Sequence, residues 1–363
     1  MCIMDQLFKD PQAIIRHQFS SYEYFIDVLV PKIINGHSGN VCISNPRFSS
    51  PSIPSFRNVS GIEQIYPDDA RLRQLSYNLG LVVDITIHDR IFIKDVTIGK
   101  VPLMVGSKYC MGPRDNDHGG YFIVKGQEKV IVSQENLAPN VLFCFENFKG
   151  KASHYAQILS IHEPSGTSYG LKIYYYPDTG LFRAKVPRMR TDCGTVGLVD
   201  LFYMLGAKDD ADIVQAVGGK VDILHNSFLD RAPSANGPIP EDILAGILPH
   251  AGDDRMEYLG YMTRRLIDTV EGTREPTDRD HVSNKRIDAS GIMLGRLFAR
   301  LYERFTGHLE RCVISMGDGI TAADVRHVVK GAQISFRVSM STGNWFIKNG
   351  TQVEQRAGVA QVL

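Results

Sequence analysis

Tyr121-Phe122-Ile123-Val124-Lys125-Gly126-Gln127-Glu128-Lys129-Val130-Ile131-Val132 reads as a β-hairpin. Apolar and β-branched residues fill both arms, and Lys125-Gly126-Gln127-Glu128 between them supplies a glycine where the backbone needs a positive φ. A second hairpin lies downstream: Leu171 to Tyr176 leads into Pro177-Asp178-Thr179-Gly180, a Pro-initiated turn closed by Gly, and Leu181 to Val186 returns. Upstream, Val82-Val83-Asp84-Ile85-Thr86-Ile87 and Ile91-Phe92-Ile93 are further strands by their β-branched content. Antiparallel sheet therefore occupies the first half of the chain.

Helical spacing frames these strands. Ile14, Ile15, Phe19, Tyr22, Phe25, Ile26 and Leu29 recur three and four apart, which predicts an amphipathic helix within Pro11–Ile34. Asn40 to Arg57 is Ser- and Pro-rich and predicts extended edge or loop structure. After Pro187 the period becomes helical again. Leu198, Leu201, Phe202 and Leu205 mark a short helix, and Met256, Leu259, Met262, Leu266 and Val270 a longer one. Leu294, Leu297, Phe298, Leu301, Phe305 and Leu309 mark a third, with Asp288 and Ser290 as candidate N-caps. Helices and strands are segregated rather than alternating, so the fold class is α+β.

A chain of 363 residues has room for two or three domains. Forty basic side chains balance forty acidic ones, so total charge does not identify a nucleic-acid partner. The charge is unevenly placed, however. His281 to Leu363 holds eleven Lys and Arg against six Asp and Glu, which points to the C-terminal quarter. The six cysteines have no C-x-x-C spacing, against a zinc ribbon or a disulfide framework and in favour of a reduced, intracellular compartment. The Asn58-Val59-Ser60 sequon is then without consequence. No run approaches the ~20 apolar residues of a membrane helix, and Asp27 breaks the most apolar N-terminal stretch. The apolar run Gly358 to Leu363 ends without a cap or polar tail, which predicts a chain cut inside an element.

Asp278-Arg279-Asp280-His281 would set two carboxylates on one side of an extended segment, as a divalent ion requires. No third ligand is near, so the stretch reads as a structural loop with Lys285 and Arg286 as charge partners. Gly218-Gly219-Lys220 fails as a phosphate loop, because Val214 stands where glycine is needed and Val221 where Ser or Thr would hold magnesium. Neither H-E-x-x-H nor G-x-S-x-G occurs, and Cys110 lacks the context of a nucleophile. Arg296, Arg300 and Arg304 form a column on the third helix, either a phosphate-holding stripe or a solvated face partly offset by Glu303. Arg183, Lys185, Arg188 and Arg190 make a second basic cluster, and Trp345 in Gly343 to Gly350 reads as a core anchor beside a flexible loop. The residues alone thus describe an α+β scaffold with a basic C-terminal edge and no self-contained active site.

Three stretches together resemble the second-largest, β-like subunit of multisubunit DNA-directed RNA polymerases in its eukaryotic, archaeal and large-DNA-virus form. They are Gly119 to Glu135 preceded by Val101 to Lys108; Thr277-Asp278-Arg279-Asp280-His281-Val282-Ser283-Asn284-Lys285-Arg286-Ile287-Asp288; and Thr342-Gly343-Asn344-Trp345 followed by Arg356 to Leu363. The first fifty residues and Val221 to Ala251 match poorly.

The resemblance implies two mixed domains, a protrusion with an inserted lobe, with helices packed on antiparallel sheets. The protrusion would occupy 1–140 and 291–341, the lobe 141–290, and the start of a truncated fork 342–363. It also implies a part in template-dependent RNA synthesis, a nucleotidyltransferase reaction in which Mg2+ is held by the largest subunit, so that this chain binds no metal, carries no catalytic residue and is inactive alone. Its partners would be template DNA, the RNA–DNA hybrid, the largest subunit and smaller polymerase subunits, and no membrane. Location would be the nucleus in a eukaryote, or host cytoplasm, virion or nucleus for a virus. By the same resemblance Lys348 lies in a loop beside the hybrid, Arg356 and Gln361 face nascent RNA, and Lys129 and Gln134 belong to the hairpin packed against that segment. The rival expectation is a platform for subunit assembly or factor binding that never touches nucleic acid.

Overall fold

The apolar stripe of the N-terminal segment folds, in the computed structural model of the chain, as α1 (Arg16–Tyr24), one wider π-helical turn at Phe25–Leu29, and α2 (Val30–Asn35). In the wide turn the Val30 N–H donates to the Phe25 carbonyl. Pro31, which has no N–H for the preceding turn, follows directly, and such a bulge relieves the clash a proline causes inside a helix. Tyr22, Phe25 and Ile26 are buried as the spacing predicts, whereas Ile14 stands exposed ahead of the helix. The structure describes residues 13–36, 41–54, 62–88, 90–111, 117–147, 150–162, 167–186, 194–230, 246–316, 323–331 and 353–355, with a few isolated positions. The Asn58 sequon, Arg188, Arg190 and Trp345 lie outside them.

The Ser/Pro-rich segment is extended, as β1 (Val41–Ser49) and β2 (Ser52–Pro54), with β3 (Ile62–Gln64) pairing back on β2. After α3 (Pro67–Leu72) come β4 (Asn78–Ile87) and β5 (Ile91–Pro102), in a three-stranded sheet of order β1-β4-β5. β1 is an edge strand, and its register shifts between Ser44 and Arg47, where Asn45 has φ 52°. The buried Asp84 carboxylate organises that bulge, accepting from Asn45 Nδ2 at 3.1 Å, from Arg47 at 2.5 Å and from the Asp95 N–H at 3.1 Å. β6 (Phe122–Val124), β7 (Gln127–Ile131) and β8 (Gln134–Leu137) complete this part.

The chain forms two units by contact, one from Met1–Gln134 and Ile287–Leu363, the other from Glu135–Glu163 and Thr167–Arg286. In the second, β9 (Phe143–Glu146), β10 (His154–His162), β11 (Thr167–Tyr176), β12 (Leu181–Lys185) and β13 (Val196–Gly197) make an antiparallel sheet of order β13-β12-β11-β10-β9 among the described residues. Ala156, Ile158, Leu171, Ile173, Phe182 and Ala184 share one face by period two. They pack on α4 (Leu198–Met204), α5 (Asp210–Val217), α6 (Val221–Leu229) and α7 (Arg255–Val270). Gly218 and Gly219, both at positive φ, end α5: Gly219 N–H reaches the Val214 carbonyl and Gly218 N–H that of Gln215. The glycine pair that fails as a phosphate loop is therefore a helix stop, and Lys220 beside it is held by Asp268 and Glu271, each at 2.6 Å.

The chain returns through β14 (Lys285–Asp288), which pairs with β8, into the long α8 (Ser290–Met316), and β15 (Val353–Gln355) is described beyond it. Leu294, Phe298, Leu301, Phe305 and Leu309 of α8 are buried at helical spacing, with Phe298 edge-on to Phe25. None of the helices described is long and apolar enough to cross a membrane.

Burial depresses the pKa of His250 in the second unit. Its Nδ1 lies 2.7 Å from the buried Ser160 Oγ, and its Nε2 is buried without a hydrogen-bond partner among the described residues. Because the folded chain resists the proton more than the unfolded chain, the stability this ring contributes is complete above its ordinary pKa near 6.5 and is lost as pH falls below it. Urea midpoints measured from pH 7.5 down to 5 should fall for the native chain, and His250→Gln should flatten that component. A His250→Gln curve parallel to the native one would refute the assignment.

Candidate nucleic-acid interface

The hairpin that opens the sequence reading is tighter than its four-residue turn suggests. Val124 pairs with Gln127, so Lys125 and Gly126 alone make the turn, at φ 53° and 77°, the handedness that suits a two-residue hairpin. The tip is fixed in place. Gly126 N–H donates to the Leu75 carbonyl at 2.9 Å, and Lys125 N–H to Ser76 Oγ at 3.0 Å. A Cβ on Gly126 would meet Gln74 Cα at 2.9 Å. Arg71 grips the arms through Glu128 at 2.7 Å, Asp117 at 3.1 Å and the Tyr121 hydroxyl.

β7 is the centre of a sheet of order β15-β7-β6. Lys129 stands opposite Phe122 on one side and Gln355 on the other. Backbone pairing therefore carries the chain to Lys129 at the residue before Arg356. Lys129 and Gln134 are both partly buried, on β7 and β8. Lys348, Arg356 and Gln361 lie outside the described residues.

Gln18 and Ser21 of α1 tie this hairpin to α8, and composition alone does not single them out. Gln18 Nε2 donates to the Ile131 carbonyl at 3.2 Å and to Ser133 Oγ at 3.1 Å, while its Oε1 accepts the Ser290 N–H at 3.1 Å. Ser21 Oγ accepts the Gly291 N–H at 3.1 Å. The first amides of α8 are thus capped by another helix rather than by the expected Asp288 or Ser290. Asp288 is instead buried against Arg296, which holds it with two N–H groups. The available signal was Gln18 itself, a polar residue four before Tyr22 on the apolar stripe.

Arg296 being so engaged, the column on α8 presents Arg300 and Arg304, both exposed. Burial and then the neighbouring Arg304 and Arg296 lower the pKa of Arg300, so like charges do crowd there. In the Asp278 stretch, Asp278 Oδ1 accepts the Asp280 N–H at 2.9 Å, and Lys285 reaches Asp280 at 3.6 Å and Glu135 at 2.6 Å. Arg286, expected as a charge partner, donates to the Ser283 and Lys285 carbonyls. Among the described residues no group of three or more His, Cys, Asp or Glu could hold a metal ion.

The family model described as RNA polymerase beta subunit matches residues 13–335. The DNA-directed RNA polymerase II subunit RPB2 of Encephalitozoon cuniculi is 28% identical over 98% of this chain and 37% of its own length. The DNA-directed RNA polymerase subunit Rpo2N of Methanocaldococcus jannaschii is 27% identical over 99% of this chain and 82% of its own. The DNA-directed RNA polymerase III subunit RPC2 of Saccharomyces cerevisiae is 25% identical over 97% of this chain and 35% of its own. The chain thus spans little more than a third of the eukaryotic relatives and most of the archaeal one.

Proposed function

Because this chain belongs to the RNA polymerase beta subunit family, as the N-terminal part of the second-largest subunit, we propose that it serves template-dependent RNA synthesis by lining the cleft for DNA and the RNA–DNA hybrid. The family match across residues 13–335 carries this reading. The assembled enzyme is then a nucleotidyltransferase whose Mg2+ and acidic ligands belong to the largest subunit, and this chain contributes shape and sequence-independent backbone contacts. Its partners are the largest and smaller polymerase subunits, and a nuclear location follows if it works as the RNA polymerase II relatives' names imply.

Two observations support the cleft reading over a platform that avoids nucleic acid. The hairpin bearing Lys129 is pinned from three sides, as a rigid wall should be, and Gln355 is paired to it. Lys129→Gln in the assembled enzyme should lower the slope of log affinity for template–hybrid against log salt by about one, with subunit stoichiometry unchanged. A slope equal to that of the unsubstituted enzyme would favour the platform.

A further inference from the structure

The sheet of the second unit has two faces, and only one is used by its helices. On the other face the strand register lines up two neighbouring rows. Phe145, Tyr155, Tyr174 and Arg183 form the first, each opposite the next. Phe143, Gln157, Lys172 and Lys185 form the second, and the end at Phe143 and Phe145 is buried against Leu137 and Ala138. The aromatic row is continuous, with ring centroids 5.4 Å apart from Phe145 to Tyr155 and 5.7 Å from Tyr155 to Tyr174. Arg279, from the Asp278 loop, lies 4.6 Å from the Phe145 centroid and donates to the Tyr155 hydroxyl at 2.5 Å. Lys172 Nζ lies 5.5 Å from the Tyr155 centroid.

Among the described residues, the charges on this face are largely without ion pairs. Lys172 and Lys185 stand directly opposite one another, an arrangement that destabilises a sheet. Among the described residues no carboxylate forms an ion pair with Lys172, Lys185 or Arg279, and Arg183 has only Asp230 at 3.8 Å. Burial, then Arg279 and Lys185, lower the Lys172 pKa, so the three cations repel one another. Cations gathered beside Tyr155 and Tyr174, the partly exposed members of the row beyond the buried Phe145, are complementary to a ligand that is both polyanionic and flat-ringed. Single-stranded nucleic acid has both properties, since bases stack on aromatic rings while phosphates follow basic side chains. An acidic peptide would satisfy the charges and leave the tyrosines without a role.

We propose that this face binds single-stranded nucleic acid without sequence preference, with Tyr155 and Tyr174 as the stacking platform and Lys172, Lys185 and Arg279 as the phosphate contacts. The site is independent of the cleft reading, because Lys129 and the hairpin belong to the other unit, and either can fail alone.

The test is fluorescence anisotropy of labelled oligo(dT) against the 363-residue chain across a KCl series. Lys172→Gln with Lys185→Gln should reduce the salt slope by about 1.4, close to 0.7 for each lost single-strand contact. Tyr155→Leu with Tyr174→Leu should weaken binding by roughly fivefold or more at every salt concentration and leave the slope unchanged. Circular dichroism melts matching the native chain would show that both variants fold. If folded variants keep the native affinity and slope, the proposal is overturned. It is equally overturned if a labelled poly-glutamate peptide binds more tightly than oligo(dT) and only the lysine variant weakens it, which would assign the face to an acidic protein segment.

Discussion

Gly291→Val is expected to unfold the first unit at temperatures where the native chain is stable. A Cβ at position 291 would lie 1.8 Å from the Ser21 carbonyl oxygen and 2.3 Å from its carbon. Both are backbone atoms in the middle of α1, so no side-chain rotation relieves the overlap, and trimming Ser21 does not help either. α1 and α8 must separate, which would open the contact where Phe25 meets Phe298. Ordinary overpacking costs about 1–3 kcal/mol because neighbours can shift; with two packed helix backbones in collision, about 3 kcal/mol is a lower bound. Gly295→Ala, one turn further along, is the control: its nearest obstacle at 2.8 Å is Leu29 Cδ1, the tip of a flexible side chain, so its cost should be far smaller. Hydrogen exchange reads both. Gly291→Val should abolish protection in α1 and α8 while α7, which belongs to the separately packed second core, keeps its own. Native protection in α8 of the valine variant, or equal losses in the two variants, would contradict the helix contact described.

The contrast between those glycines marks the limit of what the chain discloses residue by residue. Both hairpins are legible because their signals are local: alternating β-branched residues and a turn whose glycines take the positive φ that the geometry demands, at Gly126 and Gly180. α8 is legible because its apolar spacing persists over many turns. The cap of α8 is not, since it comes from Gln18, 272 residues away, and proximity of that kind is created only by the fold. The π-helical turn shifts the period by one residue and is invisible to a 3.6-residue template. α5 and α6 escape the reading because each buries only a couple of residues, Ile213 with Val217 and Leu224 with Ser227. The candidate site divides in the same way. Lys129 and Gln134 stand out only through resemblance, whereas the Tyr155 to Lys185 rows depend on strand register, which no stretch of sequence states.

Gln18→Met should be the second most damaging change, and it acts through hydrogen bonds where Gly291→Val acts through volume. The side chain is 8% exposed, so methionine fills the same space with little change in packing. What is lost is the partner of the Ser290 N–H and of the Ile131 carbonyl, both in buried surroundings. A buried polar group left without a partner costs about 1–3 kcal/mol, so the two together should cost about 2–6 kcal/mol. Gln18→Glu separates the two ends of the amide. Its carboxylate keeps an acceptor at the N-terminus of α8, where negative charge is favoured, but it cannot donate to Ile131. Its unfolding midpoint should therefore fall between the native chain and Gln18→Met, with the Ser290 amide still protected and the Ile131 end of the hairpin loosened. That loosening bears on the proposed function, because Lys129 sits two residues before Ile131 on β7, and the hybrid contact proposed for it requires the strand to stay pinned. Under the proposed cleft role, Gln18→Glu in the assembled polymerase should weaken hybrid retention without changing the salt slope, whereas Lys129→Gln should change the slope itself. Identical stability of the methionine and glutamate variants would mean that the Ser290 contact contributes nothing, and the cap of α8 would have to be sought elsewhere.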